Sequence, residues 1–265
     1  MDSFDITLSI FLFIFGICFG SFSNVLIYRL PKSQSVSFPS SHCTVCNTPL
    51  KWYHNIPIFS WFFLNGKCSF CKTKISIVYP VAELAGGFFM LIGFYKEFGI
   101  YVFDAKELIL AFIVGLSFIN LLALSVIDIR YKAVPEQLLY TGLVLAFAYA
   151  VLKNITQNDN FYDNLLCSFV FAFAFWLLRF LVSFFLKKEA MGSADIFIAT
   201  VIGAMLGYKL GLAAVYLSAI LTLPVYMIVK KKNYELAFVP FLSLALLLVY
   251  CFDDFFLAII KMIYV

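Results

Sequence analysis

Residues 108–127 read LILAFIVGLSFINLLALSVI, a run without charge that closes on Asp128-Ile129-Arg130. Coiled at 1.5 Å per residue, such a run reaches about 30 Å, the thickness of a bilayer's hydrocarbon layer. Comparable apolar runs lie on both sides of it, at about 6–28, 79–95, 134–153, 161–186, 194–208, 209–230 and 237–252. Together with the opening run, taken as 107–128, they predict an all-α polytopic membrane protein of about eight transmembrane helices, the second and sixth short. The C-terminal stretch from Phe255 to Val265 is too short to span and is expected at the membrane interface. Composition agrees: hydrophobic residues make up 63% and charged residues 13%, where a soluble domain is roughly half apolar and about a quarter charged.

The first run, Ile6 to Ile27, follows Asp2 and Asp5 and not a basic segment, and has no small-x-small cleavage pattern, so it reads as a retained span. The net charge of +4 is carried by loops between helices. Membrane topology already accounts for it, so the charge says little about nucleic acid; the expected partner is the lipid bilayer, with no nucleic acid. Between the first two spans lie Arg29, Lys32, Lys51, Lys67, Lys72 and Lys74 with no acidic residue among them. Lys187, Lys188 and Lys230 to Lys232 mark two further basic loops, whereas Asp159 and Asp163 sit in or beside the loop before the fifth span. The positive-inside bias then places the N-terminus outside and the loop after the first span in the cytosol. The expected segments are a first span in 1–30, a cytosolic module in 31–78, and a second span with its outer loop in 79–106. A membrane core in 107–230 follows, then a last span and interfacial tail in 231–265.

Two aspartates stand at the ends of spans that this topology brings to the cytosolic edge. Asp128 ends the third, in Leu124-Ser125-Val126-Ile127-Asp128-Ile129-Arg130, and Asp195 opens the sixth, in Met191-Gly192-Ser193-Ala194-Asp195-Ile196-Phe197. Taken singly, Asp128 could be a boundary residue beside Arg130 and Lys132, and Asp195 an acid favoured by a helix N-terminus. Taken as a pair at one depth on two helices, they have the chemistry of an acid–base dyad. Two carboxyls that cannot easily ionise together can share a proton, activate a water and protonate a leaving amine. Gly192, lacking a side chain, would let a helix or substrate strand approach just before Asp195.

Cys43-Thr44-Val45-Cys46 and Cys68-Ser69-Phe70-Cys71 form two CxxC pairs. Their separation of about 20 residues suits a tetrahedral Cys₄ zinc site. A cytosolic location disfavours disulfides, although disulfide and iron–sulfur chemistry remain alternatives for such a set. Four thiolates leave no open coordination position, so the zinc is expected to be structural, stapling a loop with a small aromatic core that includes Trp52, Tyr53, Ile56, Trp61, Phe62 and Phe63. His42 and His54 read as flanking residues and not ligands, and Cys18, Cys167 and Cys251 as packing residues in apolar spans.

Several stretches combine into a known pattern: Gly20-Ser21-Phe22-Ser23-Asn24-Val25-Leu26-Ile27-Tyr28-Arg29-Leu30-Pro31, Trp52-Tyr53-His54-Asn55-Ile56-Pro57, Ser60-Trp61, Gly66-Lys67-Cys68, Tyr79-Pro80 with Glu83-Leu84 and Gly87, Ile127-Asp128 with Val134-Pro135, and Gly192 to Asp195. In this set and order the chain resembles the type IV prepilin peptidases, bifunctional membrane enzymes of the GxGD aspartic class. The resemblance implies that Asp128 and Asp195 are catalytic; Gly192 is expected beside the substrate strand, and Glu83 is a candidate for orienting the substrate or its amine, with a charge pairing between helices as the alternative. It further implies removal of a leader after glycine from type IV prepilin or pseudopilin substrates at the cytosolic face of a bacterial inner membrane. Methylation of the new N-terminus by S-adenosylmethionine would follow. No glycine-rich dinucleotide cradle accompanies the pattern. The chain departs from the family at Ala194, which makes GxGD into GSAD, at Phe197 where a lysine is common, at Val78 where an arginine precedes the tyrosine, and at Glu136 in place of aspartate. Rival readings are a proton-coupled transporter using the aspartates as a relay, which calls for carboxylates near the membrane midplane, and an inactive scaffold of a secretion or pilus machine.

Overall fold

Hydrocarbon offers no partner to a backbone N–H or C=O, so an apolar run satisfies its backbone internally by coiling. A computed structural model of the chain describes residues 3–98, 105–157, 161–187, 192–229 and 236–263. The helices in it follow the apolar runs: α1 Ser3–Arg29, a short α2 Phe59–Phe63, α3 Val78–Glu97, α4 Ala105–Tyr131, α5 Glu136–Gln157, α6 Phe161–Leu186, α7 Ser193–Val229, α8 Val239–Cys251 and α9 Asp253–Ile263. Among the described residues no strand forms; pairing is confined to two isolated bridges, His42 with Pro49 and Lys67 with Lys74. Asp2, Asp159, Lys188 and Lys230 to Lys232, used above to orient the chain, lie outside the described residues.

Among the described residues six helices are long and apolar enough to cross a bilayer, and α8 with α9 counts as a seventh if the bent pair is one span. The longest is itself broken. Gly207 has φ 67° and ψ −164° inside α7, a conformation in which a β-carbon is not tolerated. The chain folds back there: a Cβ at Gly203 would meet Cys167 and Ser168, one at Gly207 would meet Asn164, and one at Gly211 would meet Phe171 and Ile202. Contact between positions 202 and 211 is impossible along a straight helix, in which nine residues separate by about 13 Å. The two arms of α7 therefore correspond to the sixth and seventh spans expected from sequence. The tail beyond α8 turns by 88° to form α9 and does not continue the span.

The chain forms two compact units, Met1–Ile119 and Asn120–Val265, with α4 contributing to both. In the first, α1 and α3 run antiparallel at very short range. A Cβ at Gly16 would collide with the Gly86 carbonyl, and one at Gly20 would meet Ala82 and Glu83. Such small-residue seams replace hydrophobic collapse as the source of packing between helices in lipid. Asn24 Nδ2 extends the seam by donating to the Tyr79 carbonyl at 3.1 Å. Leu12, Met90, Phe94, Phe98 and Ile119 form the buried cluster behind it.

In the second unit Asn120 ties α4 to α5, donating to the Leu138 carbonyl at 3.0 Å and accepting from Thr141 Oγ1 at 3.2 Å. Tyr149, fully buried, sets its ring edge-on to Tyr250 of α8. Ile127, Ile198, Ile202, Leu242 and Leu246 are buried to 1% exposure or less in the same unit.

Candidate active site

Asp195 lies in the first turn of α7 and is 4% exposed. The Gly192 backbone N–H is hydrogen-bonded to its carboxylate, half of a capping box in which the third helical residue reaches back to the cap. Capping alone would leave the carboxylate in solvent. Here it is buried instead, within electrostatic reach of Asp128 and of Arg179 on α6. Asp128, half-buried near the end of α4, receives the backbone N–H of Val239, the first residue of α8, and feels the charge of Lys132. Pro240 follows Val239 and has no N–H of its own, so Val239 is the donor the helix start can offer.

The second unit thus brings the two sequence-predicted aspartates together, from α4 and from α7. Among the described residues, a Cβ at Gly192 would meet only Asp195 Oδ2 and the Ala194 nitrogen within 4 Å. Phe197, where the resemblance calls for lysine, turns its ring onto Tyr140 of α5 at a centroid distance of 5.8 Å. The positive charge beside Asp195 comes from Arg179 instead. Sequence reading passed over Arg179, although an arginine inside an apolar run is the kind of residue that marks a polar site in a membrane. Val239 had no sequence signal, because its contribution is a backbone N–H.

The four cysteines converge in the first unit. Their sulfurs lie within 4.8 Å of one another, and Cys43 Sγ is 3.8 Å from Cys71 Sγ. A tetrahedron of thiolates around zinc, with zinc–sulfur bonds of about 2.3 Å, has edges of about 3.8 Å. A disulfide would need sulfurs about 2.05 Å apart. The set fits a metal ion.

Each CxxC pair sits in the same hairpin. Asn47 N donates to the Cys43 carbonyl at 2.9 Å and Cys43 N to the Thr48 carbonyl at 3.1 Å; Lys72 N donates to the Cys68 carbonyl at 3.1 Å and Cys68 N to the Thr73 carbonyl at 2.8 Å. Asn47 and Lys72, each just after the second cysteine, both take positive φ, 55° and 61°. Cys43-Thr44-Val45-Cys46-Asn47-Thr48 and Cys68-Ser69-Phe70-Cys71-Lys72-Thr73 are therefore two copies of one knuckle. The Thr73 hydroxyl, 3.3 Å from Cys71 Sγ, can donate to a thiolate and holds that thiol down at about 6. The Cys46 backbone N–H pulls the Cys43 thiol down as well, but burial and the sulfurs of Cys46 and Cys68 outweigh it and push it up to about 11.

Glu83 ties the knuckle module to the helices. Its Oε1 accepts from Ser21 Oγ of α1 at 2.8 Å, and its Oε2 accepts the Ile58 backbone N–H at 2.6 Å. Ile58 has φ 62° and ψ −56°, a strained conformation for a β-branched residue. Arg29, 6% exposed, gathers the chain leaving α1 through the carbonyls of Ser35, Val36 and Pro39.

Comparison with known proteins gives a consistent result. A profile described as the Type IV leader peptidase family matches residues 115–227, and one described as the Bacterial Peptidase A24 N-terminal domain matches residues 14–97. The chain is similar to a protein of Myxococcus xanthus named prepilin leader peptidase/N-methyltransferase, with 32% identity over 76% of this chain, and it spans 57% of that relative's length. Proteins of the same name from Vibrio cholerae and Bacillus subtilis are each 32% identical, covering 74% and 92% of this chain and 76% and 94% of their own lengths. No solved structure matches the chain.

Proposed function

The chain belongs to the type IV leader peptidase family, and from that premise we propose that it cleaves the leader from type IV prepilin-like or pseudopilin substrates and methylates the N-terminus so exposed. The observation that carries the peptidase reading is the meeting of Asp128 and Asp195, two carboxylates from different helices in electrostatic reach of each other. One carboxylate takes a proton from a water as that water's oxygen attacks the scissile carbonyl carbon. The other protonates the carbonyl oxygen. Collapse of the gem-diol intermediate breaks the C–N bond: the amine leaves with the dyad's proton while a diol hydroxyl gives its proton to the other carboxylate, so a carboxyl product is released and the dyad again shares one proton. S-adenosylmethionine, when bound, would supply the methyl group for the new amine, which would lose a proton as S-adenosylhomocysteine is released.

Gly192 leaves the approach to Asp195 open for an extended substrate strand. Arg179 and the Val239 N–H hold the two carboxylates in place. Glu83, with both oxygens engaged, orients substrate through the turn it holds at Ile58. Cys43, Cys46, Cys68 and Cys71 hold one zinc ion, which supplies folding energy to the module and, with four protein ligands, no site for water. We place the N-terminus outside a bacterial inner membrane and the zinc module and dyad at its cytosolic face, following the loop charges.

The test is mass spectrometry of a membrane-inserted substrate, with a basic leader ending in glycine, before and after exposure to the purified protein. The reading expects one cut after that glycine and a further gain of one methyl group when S-adenosylmethionine is present. A substrate with a β-branched residue in place of the glycine should resist, because glycine alone brings no side chain to clash where the substrate helix gives way to an extended strand. Cleavage of both substrates at the same bond, or of neither, overturns it.

A further inference from the structure

The short helix α2, Phe59–Phe63, presents Phe59, Phe62 and Phe63 on one face at i, i+3 and i+4 spacing, exposed to 63%, 63% and 83%. Its remaining aromatic residue, Trp61, turns the other way: its Nε1 donates to the Ile75 carbonyl at 3.3 Å, and its ring lies under Gly66. The helix thus spends one aromatic side chain on the module's own core and leaves three outside it. Three phenylalanines side by side, exposed to water, would be an aggregation hazard.

The position of α2 along the membrane normal follows from a single bond. Ile58, the residue before α2, donates its N–H to Glu83 at 2.6 Å. Glu83 lies five residues inside α3, which starts at Val78 and crosses the bilayer. At 1.5 Å per residue this is about 7 Å from the start of the span. Interfacial helices bury their apolar faces about 5–10 Å into the headgroup and acyl boundary. The residue that leads into α2 is therefore tied to a carboxylate at that depth. The charge of the module is complementary to the same surroundings. From Leu30 to Val78 it carries Lys32, Lys51, Lys67, Lys72 and Lys74 and no aspartate or glutamate. Lysines at such a distance are attracted to anionic headgroups.

We propose that the Phe59–Phe63 helix is a lipid-embedded foot, by which the four-cysteine module stands in the cytosolic leaflet of an anionic bilayer, with Phe59, Phe62 and Phe63 among the acyl chains. The Glu83–Ile58 hydrogen bond sets its depth and the lysines hold the headgroups around it. The occupant of the aromatic face is lipid, and the face is not a docking site for a substrate or a second protein.

The experiment places a photo-crosslinking residue at one exposed position, Phe63→p-benzoylphenylalanine, in the full chain reconstituted in vesicles of phosphatidylethanolamine and phosphatidylglycerol. Zinc content equal to wild type shows that the module is folded. Irradiation is expected to give phospholipid adducts as the main product, in amounts that fall at least about twofold in the Glu83→Gln variant. In purely zwitterionic vesicles a fall is also expected. The same residue at Phe62, read in parallel, guards against a local failure at one site. Adducts chiefly to an added prepilin-like substrate or to a second protein chain, or none with lipid at either position in zinc-replete protein, overturn the proposal.

Discussion

Asp128 and Asp195 differ in how much of their role a sequence can reveal. Each has a bland explanation, one as a boundary residue and the other as a cap, and Asp195 does accept the Gly192 N–H as a cap should. Only the pairing separates the readings, and pairing between residues 67 positions apart is visible from sequence only through the resemblance. Asp128→Asn and Asp195→Asn are each expected to lower the cleavage rate by at least about 10²-fold, the usual scale of a lost proton-transfer group. The folded, membrane-inserted yield should stay unchanged. Near-normal turnover in either variant, measured with zinc-replete protein, would remove the dyad. Arg179 and the Val239 N–H escaped the sequence reading for different reasons: the arginine sits in an apolar run 16 residues from Asp195, and a backbone N–H has no residue type to betray it.

Elements were legible where their cause is local. Apolar length predicted the spans, and CxxC spacing predicted the sulfur cluster. The fold-back of α7 was placed close to its true position by length alone, because the determinant is one glycine with no proline beside it. Gly207→Ala forces a β-carbon into a glycine-only conformation 3.0 Å from Asn164 Oδ1 and is expected to cost about 1–3 kcal/mol. Thermal unfolding of detergent-solubilised protein should show the loss. The clamp from Glu83 to Ile58 was not legible at all, since it joins residues 25 apart through a strained isoleucine that no propensity favours. The two knuckles carry a metal prediction. One zinc per chain should be found by elemental analysis, and stripping it with chelator should open residues 31–78 to protease while the spans stay protected. Cys46→Ser should do the same with zinc present. A metal-free protein with a protease-resistant module would contradict the assignment.

At the scale of the whole chain, orientation rests on charge that lies mostly outside helices. Thiol reagents added to intact cells should fail to label zinc-stripped cysteines of the module and should label them once the inner membrane is permeabilised. Labelling from outside would invert the topology and move the dyad to the other face. The fold-back at Gly207 bears on hydration. The arm of α7 from Ser193 to Leu206 carries Asp195 and, at 1.5 Å per residue, reaches only about 21 Å. Protein and not lipid flanks most of it: Ala194, Asp195, Ile198, Ala199, Val201, Ile202, Ala204 and Met205 are all buried. Packed among longer neighbours, so short an arm leaves a recess at an end, and a recess at the Ser193 end would let water reach Asp195 without the helices having to part.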